Sequence, residues 1–191
     1  MNTEFPYGLF AMRHCKTEYN LLKKISGQAN TQLADHQIDS AVLDECQIPL
    51  RNFMIISSPL DRCIQTVGQL LVQYHDTAPA VHIDLRIIER GMGEWEGRFK
   101  KTVLSEFPAC NWNGNISPQY IPPGGELFED FTHRIEDFIQ DIKARSAYGP
   151  ILICAHNQSL KLLTYMLDNE TEFASFWSSC SFQNGKVVRL K

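Results

Sequence analysis

Nothing in this 191-residue chain points to a membrane, a zinc ribbon or a nucleic acid. No apolar run approaches the length needed to span a bilayer. The opening residues Met1-Asn2-Thr3-Glu4-Phe5-Pro6 carry neither a basic n-region nor an apolar h-region, so they do not read as a secretory leader. The six cysteines (Cys15, Cys46, Cys63, Cys110, Cys154, Cys180) form no C-x-x-C pair, which argues against a zinc ribbon or a dithiol redox motif. Several lie in apolar runs, where a free thiol behaves as a small hydrophobe. A reducing, cytoplasmic setting is the expectation. A basic surplus is missing too. The net charge of −4 argues against a general nucleic-acid binder, yet leaves room for a local cationic pocket in an acidic protein. Repeats, low-complexity tracts and linker-like runs are absent, so a single domain over 1–191 is expected.

What is present is an alternation of short apolar runs with helical patterns. Gly8 to Met12, Asn52 to Ser57 and Pro150 to Ala155 read as strands, the last two apolar enough to be buried on both faces. Val81 to Leu85 alternates like a further strand. Helical spacing is found over Asp35–Cys46, from Leu60 through Ile64, Val67, Leu70, Leu71 and Tyr74, and over Lys100–Phe107, Leu127–Arg145 and Leu160–Leu167. Phe128, Phe131, Ile135, Phe138, Ile139 and Ile142 form the apolar stripe of the longest one. Asp76 to Pro79 reads as a turn. Gly27 reads as an ordinary loop glycine. Pro108 to Pro123 reads as a surface excursion of the kind that forms lids and binding loops. Asn184-Gly185 within Ser178–Leu190 predicts a hairpin. The pattern predicts a three-layer α/β/α sandwich around a mostly parallel sheet.

Two of the apolar strands end in histidine, at Arg13-His14 and at His156. In open α/β sheets, neighbouring strand ends converge on one crevice. Arg62, in the first turn of a helix, opposes the macrodipole there, which suggests pairing with an anion. Glu89 to Gly97 carries three glycines and three carboxylates and can approach a ligand closely. Two arginines and two imidazoles around one crevice make an oxyanion site, because the guanidinium fork matches phosphate.

Five blocks in order resemble the histidine phosphatase superfamily, the phosphoglycerate mutase-like enzymes. Arg13-His14-Cys15-Lys16-Thr17-Glu18-Tyr19-Asn20 resembles R-H-G-[ET]-T-x-x-N. Ser57 to Thr66 resembles S-S-P-L-x-R-A-x-Q-T, and Glu89 to Gly97 resembles E-x-x-x-G-x-W-E-G. Pro122-Pro123-Gly124-Gly125-Glu126 resembles P-P-G-G-E-S before a helix with an arginine, here Arg134. Ile151 to Asn157 resembles V-L-V-V-S-H-G. The resemblance implies that His14 attacks phosphorus and forms a phosphohistidine. It implies that Arg13, Arg62, His156 and Asn20 surround the phosphoryl oxygens, with Asn157 beside them. Glu89 would protonate the leaving alkoxide and then activate water. The nucleophile must be unprotonated, so a partner is expected on its other ring nitrogen, with a backbone carbonyl the first choice.

The expected substrate is a small phosphorylated metabolite. The scheme requires neither a metal nor a cofactor, and a homodimer stays open. Cys15 and Asn157 stand where the family usually has glycine, Leu127 replaces a serine, and the glycine expected near Gln37 is missing. Cys15 is where unusual specificity is expected to begin, as a residue that narrows the pocket or as a reactive thiol. A cysteine-phosphatase mechanism would need an arginine six residues after Cys15, and Leu21 stands there. Two other readings remain: mutase-type phosphoryl transfer, disfavoured by the short interval between the acidic loop and His156, and a silent phosphate-binding module on the same fold. Met92, Trp95, Trp112, Tyr120 and Phe128 lie near the expected rims.

Overall fold

The computed structural model describes residues 4–74, 79–168 and 172–191. In chain order the elements are β1 (Leu9–Arg13), α1 (Glu18–Leu21), α2 (Ala41–Glu45), β2 (Met54–Ser57), α3 (Asp61–Tyr74), β3 (Val81–Ile83), α4 (Lys100–Glu106), β4 (Asn111–Trp112), β5 (Asn115–Ile116), α5 (Phe128–Arg145), β6 (Ile151–Ala155), α6 (Asn157–Leu167), α7 (Phe173–Ser179) and β7 (Val187–Arg189). The main sheet runs β3-β2-β6-β1-β7. Its first four strands are parallel, and β7 pairs antiparallel with β1.

Strand alternation divides the apolar side chains between two cores. Leu9, Ala11, Ile56, Ile151, Ile153 and Ala155 pack with α5, α6 and α7 on one face. Phe10, Met12, Ile55, Leu152 and Cys154 pack with α2 and α3 on the other. This is the expected α/β/α sandwich. Every residue of β6 is buried, as its near-continuous apolar composition requires of a central parallel strand. The parallel strands point their carboxyl ends to one edge. There the His14 amide donates to Ala155 O (3.1 Å) and the Ser58 amide to Cys154 O (2.9 Å). The ends carrying His14, Ser58 and His156 are therefore held side by side by the ladder itself.

The excursion holds more regular structure than its composition announces. Asn113 and Gly114, at φ 51° and 74°, join β4 to β5, the positive-φ pair that suits a two-residue hairpin turn. Val81–Ile83 is an exposed edge strand, and Leu85 already begins a single turn of tighter helix. On α3 the expected stripe holds at Val67, Leu70, Leu71 and Tyr74, but at its start Cys63 is in the core and Ile64 faces solvent. Most of Asp35–Cys46 is not helical; only Ala41–Glu45 is. The predicted turn at Asp76–Pro79 falls mostly on residues 75–78, outside the described residues.

The hairpin expected at Asn184-Gly185 does not form. Much of the preceding chain is α7, which the sequence pattern did not reveal, and β7 returns alone to the edge of β1. The turn chemistry serves the site instead. Gly185 sits at φ 70°, its amide donates to Arg13 O (2.9 Å), and a Cβ there would lie 2.2 Å from Gln37 O. Gly185→Ala is therefore expected to destabilise the protein by about 2 kcal/mol or more, combining left-handed backbone strain with a backbone collision. Urea unfolding checks this, and an unchanged midpoint would show that the loop yields freely.

Candidate active site

His14 leaves β1 into a buried position, 3% exposed. Its Nδ1 lies 2.7 Å from the Cys15 carbonyl oxygen. A carbonyl only accepts, so Nδ1 carries the proton and Nε2 keeps its lone pair. Among the described residues Nε2 has no hydrogen-bond partner, and His14 lines the cavity at the sheet edge. Burial first, then the charges of Arg62 and Arg13, push its pKa well below the usual 6.5. The imidazole is thus neutral and held in one tautomer, by the kind of partner the sequence led us to expect.

Arg62 is almost wholly buried, yet it meets no carboxylate. Its Nη1 donates to Ala29 O (2.8 Å) and Nη2 to Gly27 O (2.6 Å). Its Nε donates to His156 Nδ1 (3.3 Å). Its partners within the protein are thus carbonyl oxygens and an imidazole nitrogen, which satisfy donors without cancelling the charge. Gly27 is therefore more than a loop residue. It sits at φ 47°, and a Cβ there would lie 2.2 Å from Glu96 Oε1. Arg13 follows the same rule. Its Nη1 donates to Phe182 O (3.0 Å), and its Nε is buried with no partner.

His156 ends β6 and is fully buried. Because Nδ1 accepts from Arg62, Nε2 carries the proton and donates to Ser58 Oγ (2.7 Å). Its ring centroid lies 5.3 Å from that of His14. It stands behind Arg62 and is not part of the cavity wall. Burial, then Arg62, hold its pKa well below 6.5 as well. Thr66 completes this layer: its Oγ1 accepts from the Cys15 amide (2.9 Å) and donates to Arg62 O (2.6 Å). Ser58 and Thr66 belong to the block around Arg62, but sequence alone did not give them these tasks.

Glu89 also lines the cavity. Its Oε1 accepts from the amides of Arg90 (3.1 Å) and Ser159 (3.3 Å) and from Ser159 Oγ (3.3 Å), and its Oε2 accepts from the Gln158 amide (3.4 Å). Two of these amides open α6, where unpaired donors and the macrodipole favour an anion. The Pro-Pro-Gly-Gly-Glu block supports this wall. Glu126 binds Arg134 through two bonds (2.7 and 3.0 Å) and accepts from the Gly91 amide (3.0 Å). Arg134 also donates to Glu89 O (3.3 Å).

Asn20 Oδ1 accepts from the Thr17 amide and hydroxyl (both 3.1 Å) and from Asn184 Nδ2 (3.3 Å). These bonds orient the amide so that Nδ2, which has no protein partner, is left for the cavity that Asn20 lines. Asn184 also donates to His14 O (2.9 Å), a support with no earlier signal except its turn dipeptide. The two glycine replacements differ in consequence. Neither Cys15 nor Asn157 has positive φ, so neither position needs glycine's freedom. Cys15 is buried with its thiol directed at Gln37 O (3.5 Å) and does not line the cavity. Burial raises its pKa, the opposite of a reactive thiol. Asn157 does line the cavity, and its Oδ1 accepts from the Phe182 amide (3.1 Å). Of the expected rim residues, Met92 and Trp112 line the cavity. Trp95 and Tyr120 stack on each other at 5.4 Å, and Phe128 packs against α7.

The cavity measures about 380 Å³. A neutral imidazole with a free nitrogen, two arginines without carboxylates and one tethered glutamate define a group-transfer site for an oxyanion. The comparisons agree with the geometry. The family described as "Histidine phosphatase superfamily (branch 1)" matches residues 9–191, and the chain belongs to it. It is 27% identical over 167 residues to a glucosyl-3-phosphoglycerate phosphatase of Mycolicibacterium vanbaalenii, covering 83% of this chain and 73% of that protein. It is 30% identical over 158 residues to the adenosylcobalamin/alpha-ribazole phosphatase of Escherichia coli, covering 81% of this chain and 76% of the relative. Among solved structures, the alpha-ribazole phosphatase from Shigella flexneri superposes with a TM-score of 0.69 at 25% identity, over 94% of this chain and 87% of that one.

Two imidazoles held neutral by burial link stability to pH. Below about 6.5 the unfolded chain takes up protons that the folded one refuses, so stability is full above that value and falls as pH drops. Between pH 7.5 and 5.5 each histidine is expected to withdraw roughly 1 kcal/mol. Urea unfolding at both values measures the drop, and the variant His14→Gln/His156→Gln should flatten it. An equal slope in that variant would remove these residues as its origin.

Proposed function

We propose that the protein hydrolyses a phosphomonoester of a small metabolite through a phosphohistidine on His14 Nε2. The observation that carries this is the Nδ1–carbonyl bond of His14, which leaves a nucleophilic lone pair facing a cavity of uncompensated positive charge. In the first step Nε2 forms a bond to phosphorus as the ester P–O bond breaks. Glu89 serves as the general acid that delivers a proton to the departing alkoxide. Arg13, Arg62, Asn20 Nδ2 and Asn157 Nδ2 hold the three spread oxygens, where charge accumulates in the transition state. His156 acts from behind Arg62, accepting from its Nε and so positioning the guanidinium. In the second step Glu89 takes a proton from water, the water oxygen displaces Nε2 from phosphorus, and inorganic phosphate leaves.

The chain is in this reading one domain over 1–191, consistent with a family match that runs over 9–191. Six free cysteines suit the reducing, cytoplasmic setting expected for it.

Turnover of p-nitrophenyl phosphate in the presence of a chelator tests the reaction, and His14→Ala should lose at least about 10³-fold. Glu89→Gln is expected to behave asymmetrically. Nitrophenolate leaves without protonation, whereas water still needs a base. That variant should release a burst of nitrophenol and accumulate an acid-labile, alkali-stable phosphoprotein. Full activity in His14→Ala would refute the nucleophile. No turnover in wild type would favour a silent binding module. Conversion of 3-phosphoglycerate to 2-phosphoglycerate without phosphate release would make it a mutase.

A further inference from the structure

Three lysines that the reaction does not use line the same cavity: Lys24, Lys100 and Lys161. They come from three separate segments: the loop after α1, the start of α4 and the middle of α6. Among the described residues none of them meets a carboxylate. Lys24 Nζ lies over the rings of Tyr19 (5.3 Å) and Phe99 (5.1 Å). Lys100 Nζ donates to the neutral amide oxygen of Asn115 (2.6 Å). Lys161 Nζ donates to Trp177 O and lies 4.7 Å from the centre of that indole. Lys161 is only 8% exposed, and burial pulls the pKa of both Lys100 and Lys161 below the ordinary lysine value.

Charged groups are seldom buried without partners, because desolvation then goes uncompensated. The cavity carries five cationic side chains against the single carboxylate of Glu89. With His14 and His156 neutral, this leaves four positive charges in excess. A phosphomonoester dianion answers two of them, and those are supplied by Arg13 and Arg62 beside His14. The remainder sits on the lysine walls, with apolar Ile25, Met92 and Trp112 among the lining between.

We propose that the substrate carries a second oxyanion, a carboxylate or another phosphate, which the walls bearing Lys24, Lys100 and Lys161 bind while the first phosphoryl group meets His14. The inference rests on reading the cavity as a phosphomonoester site. It makes the substrate a compact, doubly acidic molecule rather than a neutral alcohol's phosphate. Lys161 is the most telling of the three. A buried ammonium with one carbonyl and one indole for company gains most from an incoming anion.

The test is binding, so that it stands apart from turnover. Calorimetry on full-length His14→Ala protein compares two matched pairs: 3-phosphoglycerate with glycerol 3-phosphate, and fructose 1,6-bisphosphate with fructose 6-phosphate. At least one doubly acidic member should bind about tenfold or more tighter than its partner, the scale of a charge-assisted hydrogen bond. The pair that responds tells carboxylate from phosphate. Adding Lys161→Met or Lys24→Met should shrink the ratio to about threefold or less, and Lys161→Arg should keep it. Lys24 is half-exposed, so its variant answers even if Lys161→Met folds poorly. Equal affinities within both pairs would overturn the proposal, as would a ratio that survives both methionine variants. Loss of turnover in the wild-type protein, with the binding ratio intact, would count against hydrolysis and not against the second anion.

Discussion

The structure depends on burying positive charge without neutralising it. A buried arginine is ordinarily paired with a carboxylate, which recovers the desolvation cost but cancels the field. Here the guanidinium of Arg62 is satisfied by the carbonyls of Gly27 and Ala29 and by a histidine nitrogen. Arg13 is satisfied in part by the carbonyl of Phe182 and keeps one buried N–H unpaired. Carbonyl dipoles remove the hydrogen-bond penalty while leaving the net charge for a ligand. Burial first, and then the same cations, hold His14 neutral, so one arrangement makes a positive pocket and sets an uncharged imidazole beside it.

Much of the remaining architecture keeps those carbonyls in place. Glu96 accepts from the Gln28 and Met92 amides (both 2.9 Å), tying the Gly27 loop to the acidic loop. Asn157 holds the Phe182 amide whose carbonyl receives Arg13. Residue 157 is one of the two positions at which the chain departs from the usual glycine. Its role follows from contact, not conformation, because its backbone is an ordinary helix start. Cys15, the departure that looked more consequential, packs beneath the site and away from the ligand space. Of the two replaced positions, only Asn157 meets the cavity, which it shares with the three lysines.

The fold and the main site residues were legible for different reasons. Buried parallel strands advertise themselves as short continuous apolar runs, and the histidines that follow two of them mark the crevice. The helices on α3, α5 and α6 follow from periodicity, though on α3 the choice between Cys63 and Ile64 needed the packing. Supports that act through backbone atoms were not legible: a carbonyl at Gly27 or Phe182 has no side-chain signature. The Asn-Gly dipeptide shows the limit most clearly. At 113–114 it turns a hairpin, as its φ preference allows. At 184–185 only the glycine takes positive φ, which lets the chain pass close to Gln37 and bond to Arg13 and His14. Local turn chemistry permits positive φ at both residues; tertiary contacts decide which of them takes it and what the turn is for. Lysines 24, 100 and 161 lie far apart in sequence and outside any motif, so only the cavity reveals them as a set.

The position of Glu89 follows from the same constraint. A general acid-base carboxylate must stand near the phosphoryl site, and there the arginines attract it. Its charge is felt by Arg13 and Arg62, and an ion pair with either would cancel the positive charge beside His14. No such ion pair forms. Four donors from Arg90 and the opening of α6 compete for the carboxylate and hold it in place. They are backbone amides and one hydroxyl, so they restrain the glutamate without adding a formal charge. The arginines are held by carbonyls and the glutamate by amides. Backbone dipoles thus keep opposite charges apart inside one small cavity, and the substrate, not the protein, is left to bring them together.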